Sequence, residues 1–145
     1  MEIHIRRGRR SDYAALSALC AWPLVGRSPA RSVRMFRKTV SDLAYDVYVA
    51  DDGGKPVGLV AVSYVRALVL GGQRAMLEEL IVDPGSRGAG IGRQLLEFVI
   101  RRARRRGVRA FEARVADEAA GRFLDHLGFR PNGRLYACSI AEDPA

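Results

Sequence analysis

A chain of 145 residues with 48% hydrophobic content can bury one compact core, and neither an internal repeat nor a low-complexity linker divides it. The net charge of +8 is almost all arginine, since Lys38 and Lys55 are the only lysines; with abundant alanine and glycine, that skew reads as base composition rather than a nucleic-acid groove. No run reaches membrane-span length, the N-terminus lacks a signal peptide's apolar core, and Cys20 and Cys138 make neither a disulfide framework nor a metal site. A reduced, cytoplasmic protein with no membrane or nucleic-acid partner is therefore expected.

Ile3 and Ile5 alternate with polar neighbours and predict a first strand, and Ser11-Asp12 reads as an N-cap for a helix through about Cys20. Trp22-Pro23 to Pro29 is a break. Ser28-Pro29 opens a second helix, whose Val33, Phe36, Lys38 and Val40 give a weak periodic face. Asp46 to Ala50 is a strand, Asp51-Asp52-Gly53-Gly54 a hairpin turn, and Val57 to Val65 the next strand. After a turn at Gly71-Gly72 comes the strand Ala75 to Val82, here β4, stopped by Asp83-Pro84.

Ile91, Leu95, Phe98, Val99 and Ala103 recur at helical spacing until Gly107 ends the helix. Arg101, Arg102, Arg104, Arg105 and Arg106 cluster at its C-terminal end, where they favour the negative dipole end and are expected to stay solvated. Val108 to Val115 is a strand, here β5. Asp117 caps a short helix bearing Ala120, Phe123, Leu124 and Leu127, closed by Gly128. Phe129-Arg130 leads into a strand, Asn132-Gly133 is a tight turn, and Leu135 to Ile140 is the last strand. Meander strands followed by helical crossovers predict a mixed α/β (α+β) domain over residues 1–145, its sheet flanked by helices on both faces.

The segment Arg87-Gly88-Ala89-Gly90-Ile91-Gly92 joins β4 to the amphipathic helix. Alternating glycines let a ligand approach the backbone closely, and a helix starting there presents unpaired N–H groups and its positive dipole end, a phosphate site. A Rossmann fingerprint fails because Arg93 stands where a third glycine or alanine belongs. A Walker A loop fails because no lysine is near.

Arg87, Gly90 and Gly92 match the Arg/Gln-x-x-Gly-x-Gly/Ala signature of the GNAT superfamily of acyl-CoA-dependent N-acetyltransferases, which the chain resembles. Glu79-Leu80-Ile81-Val82-Asp83-Pro84 before it resembles the family's fourth strand. Gly92-Arg93-Gln94-Leu95-Leu96 resembles the helix that follows. Ala120 to Phe129 is similar to the motif B helix that ends in Gly-Phe. With the element order, the resemblance covers nearly the whole chain.

The resemblance implies a central, mostly antiparallel sheet in which β4 and β5 splay apart. It implies acetyl-CoA as cosubstrate, and no metal. The amides of Arg87, Gly88, Ala89, Gly90, Ile91 and Gly92, with Arg93 adjacent, would hold the coenzyme's pyrophosphate. The backbone of Leu80, Ile81 and Val82 would pair with the pantetheine arm. Asp117 stands where the family commonly has an asparagine, and Leu124 where it often has the tyrosine that protonates the departing thiolate. Tyr136 is a substitute acid, set against its plainer reading as core packing.

The acceptor amine must lose a proton to attack, which for a lysine-like amine of pKa about 10.4 costs roughly 4–5 kcal/mol near pH 7. Glu78, Glu79 and Glu112 are the candidate bases, one being expected to serve, directly or through water. Strand alternation sets Glu78 on the side of Leu80 and Val82 with Glu79 opposite, although β4 in this family often carries a bulge that upsets such parity. Glu112 sits where some protein N-acetyltransferases of the family carry their base. His4 and His126 have no metal-spaced partners, and neither cysteine has a nearby base, so direct attack in a ternary complex is the expected route.

The acceptor, a primary amine of a small molecule or a protein, is left open, as is monomer or homodimer. Trp22 and Phe36 would shape its site. Against the enzyme stands a non-catalytic acyl-CoA sensor or partner-binding module, favoured by the missing motif B tyrosine.

Overall fold

The computed structural model describes residues 2–20 and 29–140, which fall into two compact units, Met1–Ala113 and Arg114–Ala145. The predicted break from Trp22, the Ser28 cap and the acceptor role of Trp22 lie outside the described residues. No helix among the described residues is long and apolar enough to cross a membrane.

The first unit is a five-stranded sheet in sequential order: β1 (Ile3–Arg7), β2 (Tyr45–Asp52), β3 (Lys55–Ala67), β4 (Gly72–Val82) and β5 (Ala110–Ala113). The first four strands are antiparallel neighbours, and β5 joins β4 in parallel. Short hairpin turns join β2 to β3 and β3 to β4, and the crossover through a helix explains the one parallel pair. Helices α1 (Tyr13–Cys20) and α2 (Pro29–Val40) precede β2, and α3 (Ile91–Arg106) links β4 to β5.

Alternation along the strands builds two apolar layers. Leu16, Phe36 and Val40 of α1 and α2 pack with Val47, Val49, Leu59 and Ala61, and Ile81 of β4 joins that cluster. Lys38, placed in α2's predicted face, is exposed instead. On the opposite face, Ile91, Leu95, Leu96, Val99 and Ala103 of α3 are buried. Gly58 permits this closure, because a Cβ there would lie 3.1 Å from Leu95 Cδ1 and 3.2 Å from Ile91 Cγ2. The first turn of α3 is thereby held down on β3.

Polar side chains lock the periphery. Arg6 of β1 donates to both carboxylate oxygens of Asp12, at 2.9 and 2.8 Å, and through Nε to Asp51 at 2.9 Å. Asp12 also accepts from the Arg9 amide at 2.7 Å. It therefore closes a turn of 3₁₀ helix over Arg10–Asp12 that leads into α1, and is not the N-cap that the sequence suggests. The Arg6 guanidinium holds both carboxylates below the usual range, that of Asp12 against the opposing effect of its burial.

Of the arginines at the end of α3, Arg102 and Arg106 make structural contacts; Arg102 is partly buried, which corrects the expectation that all five stay solvated, while Arg101, Arg104, Arg105 and Arg106 are exposed. Arg102 binds Asp46 through Nε at 3.0 Å and Nη2 at 3.2 Å, with its guanidinium 4.9 Å from the centroid of the Tyr48 ring. Arg106, one turn on, lies 3.9 Å from the Tyr64 centroid and donates to the Leu43 carbonyl at 3.1 Å. Tyr64 donates its hydroxyl to Asp46 at 2.7 Å. Asp46 faces α3 from the start of β2, and Val99, Arg102 and Arg106 follow at the spacing of one helix face; a buried carboxylate there requires a cation.

The second unit contains α4 (Glu118–His126), capped by Asp117, whose carboxylate accepts from the Ala120 amide at 2.8 Å. Gly128 follows it with φ of 90°, and the amides of Leu127 and Phe129 both return to the Leu124 carbonyl at 3.0 Å. Gly133 adopts φ of 94°, but no tight turn forms at the predicted Asn132-Gly133 position. The predicted last strand, Leu135 to Ile140, is not a strand, since no ladder forms among the described residues after β5. Alternating apolar residues make a strand only where a partner edge satisfies the backbone.

Candidate active site

Two local departures from regular structure shape β4. Ala61 of β3 pairs with Glu79 while Val62 pairs with Leu77, so Glu78 is an inserted bulge residue. On the other edge, β4 pairs with β5 only from Arg74↔Ala110 to Leu77↔Ala113. Among the described residues no strand pairs with that edge from Glu78 to Val82. β5 is correspondingly shorter than the predicted Val108 to Val115. The backbone of Leu80, Ile81 and Val82 therefore borders an open edge, at the place where the resemblance implies a splay.

The chain then turns through a short 3₁₀ segment, Pro84–Ser86, fixed by Asp83, which accepts from the Gly85 amide and the Ser86 hydroxyl at 3.3 Å each. Gly88 and Gly90 follow with φ of 87° and 76°, a left-handed backbone that side chains oppose. Gly90 is the N-cap of α3, and its carbonyl accepts the first helical bond from Gln94 at 3.0 Å. No hydrogen bond from the amides of residues 88 to 93 to a protein acceptor is made among the described residues. A Cβ at Gly88 or Gly90 would meet open space. This row of unpaired donors, at the positive end of a 16-residue helix, is chemically an anion cradle with room in front of it. Arg87 is exposed beside it, and Arg93 pairs with Glu97 at 2.8 Å.

The three candidate bases part company. Glu79, opposite Ala61, lies on the α1/α2 face of the sheet, away from Leu80 and Val82 as alternation predicts. It is half-buried, and burial followed by the nearby Glu78 charge raises its pKa above the ordinary carboxylate value. Glu78, at the bulge, is exposed. Glu112 lies level with Met76 on β5 and forms a 3.1 Å ion pair with Arg74.

In the second unit, Asp117 serves as the cap of α4. Leu124, at the motif B position, is buried. Tyr136 is 84% exposed, which corrects its reading as core packing.

A bulged β4 whose parallel partnership ends partway along it, followed by a glycine turn into a helix, is the arrangement that the resemblance to the GNAT superfamily implies. Residues 13–129 match the acetyltransferase (GNAT) family model, and the chain belongs to that family. An uncharacterized N-acetyltransferase of Methanocaldococcus jannaschii is 37% identical over 89 residues; the match takes in 57% of this chain and 38% of that protein, so the chain spans well under half of that relative's length. The crystal structure of a transcriptional regulator from Bacillus halodurans superposes with a TM-score of 0.85 at 27% identity, covering 96% of this chain and 100% of that one. A predicted acetyltransferase with acetyl-CoA from Clostridium acetobutylicum shares the fold, with a TM-score of 0.77 at 15% identity over 95% and 96% of the two chains.

Proposed function

We propose that residues 1–145 form a single N-acetyltransferase domain that transfers acetyl from acetyl-CoA to a primary amine by direct attack in a ternary complex. The observation that carries this reading is the continuity of two unsatisfied backbone surfaces, the open edge of β4 and the unpaired amides of residues 88 to 93. An extended arm ending in a diphosphate fits that sequence of donors and acceptors: the pyrophosphate binds residues 87–93, and the pantetheine arm runs along Leu80, Ile81 and Val82. Acetyl-CoA supplies the thioester, and a β4 amide on the open edge polarises its carbonyl.

Glu79 is the base, directly or through water. It is the one of the three whose pKa burial raises, and a raised pKa brings a carboxylate closer to the operating pH, which favours proton acceptance in the transition state. Glu112 holds Arg74 across the last pairs before the ladder ends, and Glu78 keeps the bulge polar. The leaving thiolate takes its proton from water, because Leu124 offers none.

Buried Leu124 favours a second reading, an acyl-CoA-binding sensor without turnover. The two separate in one assay. Free thiol released from acetyl-CoA is followed across small amines, aminoglycosides and peptides, beside the thermal shift that acetyl-CoA produces. Release above the hydrolytic background with any amine supports the enzyme. A thermal shift without release for every amine supports the sensor, and neither signal overturns both.

A further inference from the structure

The pole of the sheet opposite the amide loop presents a row of exposed aliphatic side chains. The turn between β3 and β4 presents Leu68 and Val69, 95% and 101% exposed, with Leu70 next to them. Val65 and Leu43 at the base of this hairpin are also exposed. Large aliphatic side chains standing consecutively at a projecting tip stabilise nothing in the fold, and such exposure marks an interaction site.

The turn's backbone is closed on itself. The amides of Leu70 and Gly71 both return to the Ala67 carbonyl at 3.1 Å, and that of Gly71 also to the Leu68 carbonyl at 3.2 Å. A tip with two of its amides satisfied internally and its aliphatic side chains outward suits shallow entry into the interfacial layer of an apolar phase, where unsatisfied backbone groups are costly.

A collar of guanidinium groups surrounds the base. Arg66 pairs with Gln73 across the hairpin. Arg106 reaches the Leu43 carbonyl, and the stem of Arg109 lies where a Cβ on Gly72 would be, 2.7 Å from its Cγ. Arg105 is exposed on the same last turn of α3. Asp42, an exposed carboxylate before β2, accepts from the Ala44 amide at 2.8 Å.

We propose that this pole docks the protein on an anionic lipid surface, with Leu68, Val69 and Leu70 entering the headgroup layer and the arginine collar holding acidic headgroups. Apolar insertion and basic attraction reinforce one another at such surfaces. A second copy of the chain would bring two cationic collars together, and a nucleic acid has no use for three aliphatic side chains. The docking is peripheral and leaves the amide loop, at the other end of β4, facing away from the lipid. It departs from the sequence expectation of no membrane partner, which rests on the lack of a spanning segment.

The test is co-sedimentation with vesicles of phosphatidylcholine alone and of phosphatidylcholine and phosphatidylglycerol at 7:3. The comparison is between the wild-type chain and the double variant L68D/V69D, whose folding is checked by its thermal melt. Wild type is expected to bind the phosphatidylglycerol vesicles at least tenfold better than the neutral ones, and the double variant to lose most of that binding. Absence of wild-type binding overturns the proposal. So does binding that the double variant retains, which is charge adsorption by a +8 chain. A dimer that the double variant dissociates, with no vesicle binding, assigns the tip to self-association. If the double variant does not fold, Leu68→Ser replaces it with the same expectations.

Discussion

Replacing Asp46 tests whether the α3 end of the molecule is held as described. Asp46 is 2% exposed and accepts from Arg102 twice and from the Tyr64 hydroxyl. Removing one partner of a buried pair costs about 3–5 kcal/mol. The Arg102 side chain is 33% exposed and regains water, which favours the lower end. The Tyr64 hydroxyl, buried and left without a carboxylate, accounts for about 1–3 kcal/mol of that cost if the new side chain cannot accept from it. Asp46→Ala therefore destabilises by about 3–5 kcal/mol, and Asp46→Asn, which keeps an acceptor for Tyr64, by about 2–3 kcal/mol. At about 2–4 °C per kcal/mol for a chain of this size, Asp46→Ala lowers the melting temperature by about 6–20 °C.

The pH dependence follows from the direction of the Asp46 shift. Arg102 and Tyr64 hold its pKa below the ordinary value, against the opposing effect of burial. Its contribution is full above the unfolded value of about 3.9 and fades as pH falls through the lower folded value. Calorimetry at pH 7 and pH 3 reads both effects: the gap between wild type and Asp46→Asn is expected to narrow at the acid end. An Asp46→Ala melt within 2 °C of wild type at pH 7 refutes the reasoning.

Three further outcomes concern the site. Gly90→Glu sets a side chain on a left-handed backbone in open space, costing about 1–2 kcal/mol of stability, and a charge in the cradle raises the acetyl-CoA Kd about 100-fold by calorimetric titration, with Gly90→Ala as the strain control. Affinity unchanged in Gly90→Glu removes the loop from the site. Glu79→Gln lowers kcat by about 10²–10⁴-fold, while Glu112→Gln acts mainly through stability. The wild-type rate falls as pH drops through the raised Glu79 pKa, and this limb disappears in Glu79→Gln; a larger loss in Glu112→Gln transfers the role. Tyr136→Phe leaves kcat within twofold, given its exposure, and a tenfold loss restores it as the acid.

The elements of the sheet's first four strands were legible because alternation and turn residues agree there: Gly53-Gly54 and Gly71 take positive φ where the hairpins turn. The glycine pattern of the loop was legible residue by residue, since the left-handed backbone at positions 88 and 90 favours glycine. Glu79's distinction from Glu78 and Glu112 was not, because it depends on a bulge and on burial beneath α1 and α2, neither of which spacing encodes. The Asp46–Arg102 pair was readable in principle from a charge at a core position, and was obscured by five arginines that look alike in sequence. Leu135 to Ile140 carries a strand pattern without a strand, because pairing depends on an edge that the pattern cannot specify.

The central claim is that acetyl-CoA lies along the open edge of β4 and ends on the amides before α3. Amide chemical shifts recorded while acetyl-CoA is added test it residue by residue. The largest changes are expected at Gly88, Gly90, Gly92 and Arg93 and along Leu80 to Val82, saturating together at one Kd. Saturable changes centred elsewhere, or none at these amides at millimolar acetyl-CoA, contradict it.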